Sequence, residues 1–148
     1  MINNATPKTD LEREALEAAV ELLVRSRRFQ LLETKDMQVL AEVLTGEALE
    51  RFIPEGTSAQ PVVGVPSKDD RIVIEVVTQK SPSTVDLRLC LLDGATVYRE
   101  SADGQLLLEN DEFGTAIIAI ELTNTPSGWR ISKDENTSVA VGVDTCAK

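Results

Sequence analysis

Two thiols are the first groups in this sequence whose chemistry could matter, Cys90 and Cys146. Histidine is absent from all 148 residues. Its absence excludes Ser-His-Asp and Cys-His catalysis, His-ligated zinc and the commonest general base near neutrality. Two cysteines alone are a poor zinc site, because tetrahedral zinc wants four nitrogen or sulfur ligands. A nucleophilic thiol needs a base or a positive neighbour, and Arg88 is the only candidate near Cys90. Two readings remain, a bridge between the sulfurs or a pair of free buried thiols. A bridge places the domain outside the reducing cytoplasm, whereas free thiols leave it inside.

Carboxylates form the second set. Enolising chemistry needs a carboxylate base with an oxyanion donor such as a tyrosine hydroxyl. Glu75, Asp86, Asp93 and Glu121 supply the first type and Tyr98 the second. Glu75, Asp86 and Glu121 alternate with apolar residues, as solvent-facing strand positions do. Asp93 precedes Gly94 and reads as a turn residue. Arg88 and Tyr98 are the candidates for a pocket mouth or a binding surface, and cross-strand pairing explains them equally well. No residue is assigned as catalytic or metal-ligating and no cofactor is expected. There is no Gly-rich phosphate loop, acidic calcium loop or nucleophile elbow.

The elements that would position these groups change character along the chain. Residues Met1 to Lys8 are polar and read as a flexible start, leaving 9–148 as a single domain. Thr9 and Glu12 have the spacing of a capping box. Apolar positions at Leu16, Ala19, Val20, Leu23 and Val24 then predict a helix, acidic at its start and carrying Arg25, Arg27 and Arg28 at its end. A second helix is expected from Thr34 through Leu44 and a short third from Glu47 to Phe52. The segment Glu55 to Asp70 reads as a loop with one short edge strand.

From Arg71 the period becomes alternating. Ile72, Ile74 and Val76 share one face, and Val85, Leu87, Leu89 and Leu91 repeat the pattern. Asp93-Gly94 bends or bulges the chain, and Asp103-Gly104 marks a tight turn. Ala116, Ile118, Ile120 and Leu122 line one face of a long strand, and Trp129 reads as a core plug. The tail from Lys133 is mostly small and polar, with a short extended piece at Val139 to Val143. Helices followed by strands predict an α+β fold, two or three helices packed on one face of a curved antiparallel sheet.

Composition narrows the partners. Twenty-five acidic against fifteen basic residues give a net charge of −10. That balance argues against nucleic acid and against an anionic membrane surface. Apolar runs fall far short of a membrane span, and no signal-peptide core follows Met1.

The helix-then-sheet order, with Gly128-Trp129-Arg130-Ile131 closing a long amphipathic strand, resembles the nuclear transport factor 2-like superfamily. Cys90-Leu91-Leu92-Asp93, Asp103-Gly104, Gly128-Trp129 and Cys146 together resemble a group of actinobacterial extracytoplasmic domains within it. Members of that group are often tethered by a signal or lipoprotein segment. The stretch Leu40 to Leu49, LAEVLTGEAL, resembles the division-associated domain of cyanobacteria and plastids, which lacks the cysteine pair. These resemblances imply a cone-shaped fold, and neither implies an enzyme.

The preferred expectation is a Cys90–Cys146 disulfide that ties the C-terminal tail to a sheet strand. It gives an extracytoplasmic domain, secreted or tethered, whose targeting segment is missing from this chain. The expected function is non-catalytic binding of a protein partner or a small apolar ligand, with a homodimer as a further option. Two alternatives stand beside it. One is an isomerase or dehydratase using a cavity between sheet and helices, and the other is an assembly module of a cell-envelope or secretion machine.

Overall fold

A computed structural model describes residues 1–30, 37–51 and 62–146. Helix α1 (Asp10–Gln30) begins at the capping box read from the sequence. The Glu12 amide donates to Thr9 Oγ1 at 3.1 Å, and Glu12 Oε2 accepts from the amides of Lys8 and Thr9. Helix α2 (Met37–Ala41) is shorter than expected, because residues 42–45 turn to meet the sheet. There Thr45 N–H donates to the Ile131 carbonyl and Ile131 N–H to the Val43 carbonyl. Another helical segment follows at 46–51. The expected residues 34–36 and Phe52 of these helices, and residues 55–61 of the loop after them, lie outside the described part.

Among the described residues, eight strands follow the α+β expectation but divide into two sheets. They are β1 (Ile2–Asn3), β2 (Val62–Val65), β3 (Arg71–Gln79), β4 (Thr84–Asp93), β5 (Thr96–Glu100), β6 (Leu106–Asn110), β7 (Gly114–Thr125) and β8 (Gly128–Val141). The larger sheet runs β1-β3-β4-β7-β8 and the smaller β2-β5-β6. The larger sheet is mixed rather than purely antiparallel. Ile2 and Asn3 pair in parallel with Val73 and Ile74, so the N-terminal stretch expected to be flexible supplies an edge strand.

The main core lies between α1 and one face of the larger sheet. Ala15, Leu16, Ala19, Leu22 and Leu23 meet Ile74, Val77, Val85, Leu87, Leu89, Ile120, Leu122 and Ile131. The buried stripe of α1 is therefore rotated from the one expected, and Val20 and Val24 are exposed. Strand β3 departs from strict alternation as well. A bulge between Ile74 and Val76 inserts Glu75, so the core face passes from Ile74 to Val77 and Val76 turns to solvent. An inserted residue bends its strand, which is how a sheet curves around a helix. Two further register shifts lie in the β7–β8 pair. The residues read as a polar tail, from Lys133 onward, continue β8 as far as Val141. Their alternation was masked by the exposed outer edge they form.

Candidate partner-binding surface

The two cysteines are bonded, with their Cα atoms 5.5 Å apart across a sequence separation of 56. Cys90 sits on the face of β4 opposite the helices. There Cys90 and Cys146 join Val73 and Leu92 in a second, smaller core. The chain after β8 folds over that core. The Thr115 hydroxyl donates to the Val143 carbonyl, Thr145 N–H donates to Thr115 Oγ1 at 3.2 Å, and Arg71 pairs with Asp144 at 2.6 Å. Sulfurs so placed tie the segment after β8 to the sheet.

The carboxylates considered for catalysis are each engaged. Glu75 pairs with Arg88 at 3.2 Å and Asp86 with Lys80 at 3.0 Å. Glu121 Oε1 accepts from the Ser132 hydroxyl at 2.8 Å. Asp93 accepts from Arg27 at 2.5 Å and from Ala95 N–H at 3.0 Å. Asp70 lies 3.9 Å from the same guanidinium and accepts from Gly94 N–H. This cluster turns the chain at Asp93-Gly94 out of the larger sheet and into the smaller one. Between α1 and the sheet, Leu23, Ser26, Arg27, Leu89 and Ile120 help line a cavity of about 60 Å³. Small-molecule sites run to several hundred cubic ångströms.

Two carboxylates are held below their ordinary range, and both secure turns. Glu12 is lowered by the Lys8 amide, then by that of Gln79, which donates to it at 2.9 Å. Asp103 is lowered by the Ser101 hydroxyl, then by the Gln105 amide, within the β5–β6 turn. Gly104 sits in that turn at φ +82°, where a side chain would be strained.

Arg88 and Tyr98, the two surface candidates, are not brought together. Arg88 stands exposed on β4 of the larger sheet. Tyr98 lies on β5, the central strand of the smaller sheet, directly opposite Val63 on β2 and Leu108 on β6. Directly opposed residues share a face, and so do residues two apart. Val63, Val65, Tyr98, Leu106 and Leu108 therefore share one face, largely apolar, with Thr96 and Glu100 at its margins. Leu107 projects on the other side beside Arg99. All five residues of β6 are exposed, and Leu106, Leu107 and Leu108 each keep more than half their surface in solvent. Among the described elements, the substantial packing of this sheet is internal, β2 on β5 and β5 on β6. Where it meets the larger sheet, an open groove of about 280 Å³ is lined by Val97, Asn110, Phe113, Thr115, Val139 and Val141 among others. Phe113, Val139 and Val141 are themselves exposed.

Sequence reading singled out Tyr98 as a pocket or surface candidate and did not single out the leucines. Leu106-Leu107-Leu108 reads as an ordinary buried strand, since a short apolar run is the usual mark of a sheet interior. The signal available was the acidic surround, Asp103 before the run and Asp111 and Glu112 after it.

Fold and surface together define an α+β domain with a small helix–sheet cavity and an exposed apolar face on its smaller sheet. Among solved structures, the intermembrane space region of the chloroplast protein ARC6 has this fold. It superposes with a TM-score of 0.64 at 16% identity, covering 88% of this chain and 98% of that one. At such identity the likeness concerns the fold. No family model matches the chain, and no curated protein matches it. Among the described residues, no helix is long and apolar enough to cross a membrane.

Proposed function

We propose that the domain is a non-catalytic, extracytoplasmic binding module that docks a protein partner on the β2-β5-β6 sheet. The observation that carries this reading is the run of three exposed leucines on a strand of which no residue is buried. Complete burial of a leucine is worth about 1.5–3 kcal/mol, so a partner covering Leu106 and Leu108, which share one face, gains substantially from the apolar effect alone. A contiguous apolar face of this kind marks an interaction site in a soluble domain. The extracytoplasmic part rests on the Cys90–Cys146 bond, favoured by oxidising compartments, and on the fold likeness to an intermembrane space domain. The same likeness supports the assembly-module form of the function, and the nuclear transport factor 2-like relationship is part of this proposal. The 60 Å³ interior cavity makes the surface a stronger reading than cavity chemistry.

Photo-crosslinking tests this directly. A photoreactive phenylalanine analogue at position 98 should give a discrete adduct with a partner protein in the native compartment, and the same analogue at Arg88 should give none. Equal adducts from both positions, or none from either, would overturn the reading.

A further inference from the structure

Among the described residues, strand β6 ends the smaller sheet and no strand pairs with its outer edge. Ser101 N–H donates to the Gln105 carbonyl at 2.8 Å, closing the β5–β6 turn as a hydrogen-bonded pair. Hydrogen-bonded and non-bonded pairs alternate along an antiparallel ladder. Leu107, opposite Arg99, thus points its backbone groups at β5, while Leu106 and Leu108 point theirs outward. Two donors and two acceptors face away from the sheet, flanked by exposed leucine side chains. Natural edges of this kind are blunted with Lys, with Pro or by a covering element. Strand β6, with the sequence LLLEN, carries neither residue and is exposed throughout; its one charge and its one bulge fall together at Glu109, past the three leucines.

We propose that β6 accepts an extended peptide segment of the partner as a further strand, apolar at its centre and basic at its ends. This rests on the smaller sheet being the docking face, and it specifies how and by what chemistry. The charges select the occupant. Between Thr96 and Phe113 lie Glu100, Asp103, Glu109, Asp111 and Glu112 against a single base, Arg99. Arg99 is already bonded to Glu109, which leaves acids at both ends of the edge. A second copy of this chain fits poorly. Symmetric antiparallel pairing about Leu107 would set Asp103 of one copy against Asp111 of the other at both ends, and directly opposed like charges destabilise a strand pair. A partner segment with lysine or arginine flanking its apolar residues meets the acids instead and is steered toward them.

A fluorescent peptide of alternating valine and leucine between lysine pairs is the probe, titrated against the whole chain. Binding is expected, with amide exchange slowed at Leu106 and Leu108. A glutamate-ended version should bind at least about ten-fold more weakly, with the difference shrinking in high salt. Leu108→Pro removes an outward N–H and leaves the β5 ladder intact, so it should cost more affinity than Leu108→Ala. Methylating alternate amides of the peptide tests the same pairing without altering the protein, and should abolish binding. Equal affinity for both peptide charges overturns the proposal, as does indifference to methylation. Self-association of the chain that protects Leu106 and Leu108 without peptide also overturns it. If the methylated peptide still binds and competes with the adduct formed from position 98, the edge pairing fails and the docking face stands. No peptide binding together with no adduct sinks both.

Discussion

Leu108 stands directly opposite Tyr98 in the β5–β6 register, and more than half of its surface remains in solvent. Tyr98 is in turn opposite Val63, so a row of apolar groups crosses the smaller sheet from edge to edge. The main core between α1 and the larger sheet does not include this row. The consequences can be tested separately for the scaffold that holds the sheet and for the sheet itself.

The disulfide should contribute strongly to stability. Closing a loop of this length restricts the unfolded chain by about 4 kcal/mol in the chain-entropy treatment, with measured losses of about 2–5 kcal/mol in small domains. Urea unfolding of Cys90→Ala/Cys146→Ala should show a loss in that range. Both thiols should also resist alkylation until the protein is reduced, as read by intact mass.

Arg27 joins α1 to the Asp93-Gly94 turn through Asp93, with Asp70 nearby. Arg27→Ala leaves two neighbouring carboxylates without their shared cation. A loss of about 1.5–3 kcal/mol is expected, as for other hydrogen bonds to charged groups. Thermal unfolding measures the loss, and weakened protection of β5 amides would show that the turn is what suffers.

The start of α1 was legible because capping chemistry is local. Thr9 and Glu12 are three residues apart and carry their own partners. The core faces of β4 and β7 were legible for a similar reason, since alternation survives wherever one face is covered. What could not be read was geometry set by distant groups. The change of sheet at Asp93-Gly94 depends on Arg27 and Asp70, far away in the chain. The shift from Ile74 to Val77 depends on one inserted residue, Glu75. The exposure of Leu106 to Leu108 follows from the change of sheet, because β5 and β6 leave the larger sheet before either can be covered. Arg88 and Tyr98 looked alike in sequence, and only the separation into two sheets tells them apart.

Glu12 predicts a specific pH dependence. Its carboxyl titrates below the ordinary value of 4.5 in the folded protein, held there by the Lys8 and Gln79 amides. The lowered folded value means that its contribution is complete above pH 4.5 and is lost as pH falls through the folded value. Glu12→Gln should therefore be less stable than the parent at pH 7, with the difference narrowing in acid. Thr9→Ala removes the reciprocal cap at a cost of about 1 kcal/mol, and its effect should be far less sensitive to pH. Urea midpoints between pH 3 and pH 7 check both.

Gly104 shapes the hairpin that presents β6. At φ +82° a side chain is strained, so Gly104→Ala should cost about 1 kcal/mol or more. Amide exchange should quicken first at Ser101 and Leu107, whose N–H groups face across the hairpin, while the α1 core keeps its protection.

The docking face is tested most directly by the pair Leu106→Ser/Leu108→Ser. Both side chains are exposed, so urea unfolding should change by no more than about 0.5 kcal/mol. The adduct formed from a photoreactive residue at position 98 should nevertheless disappear. Undiminished adduct from a double variant of parental stability would contradict the account.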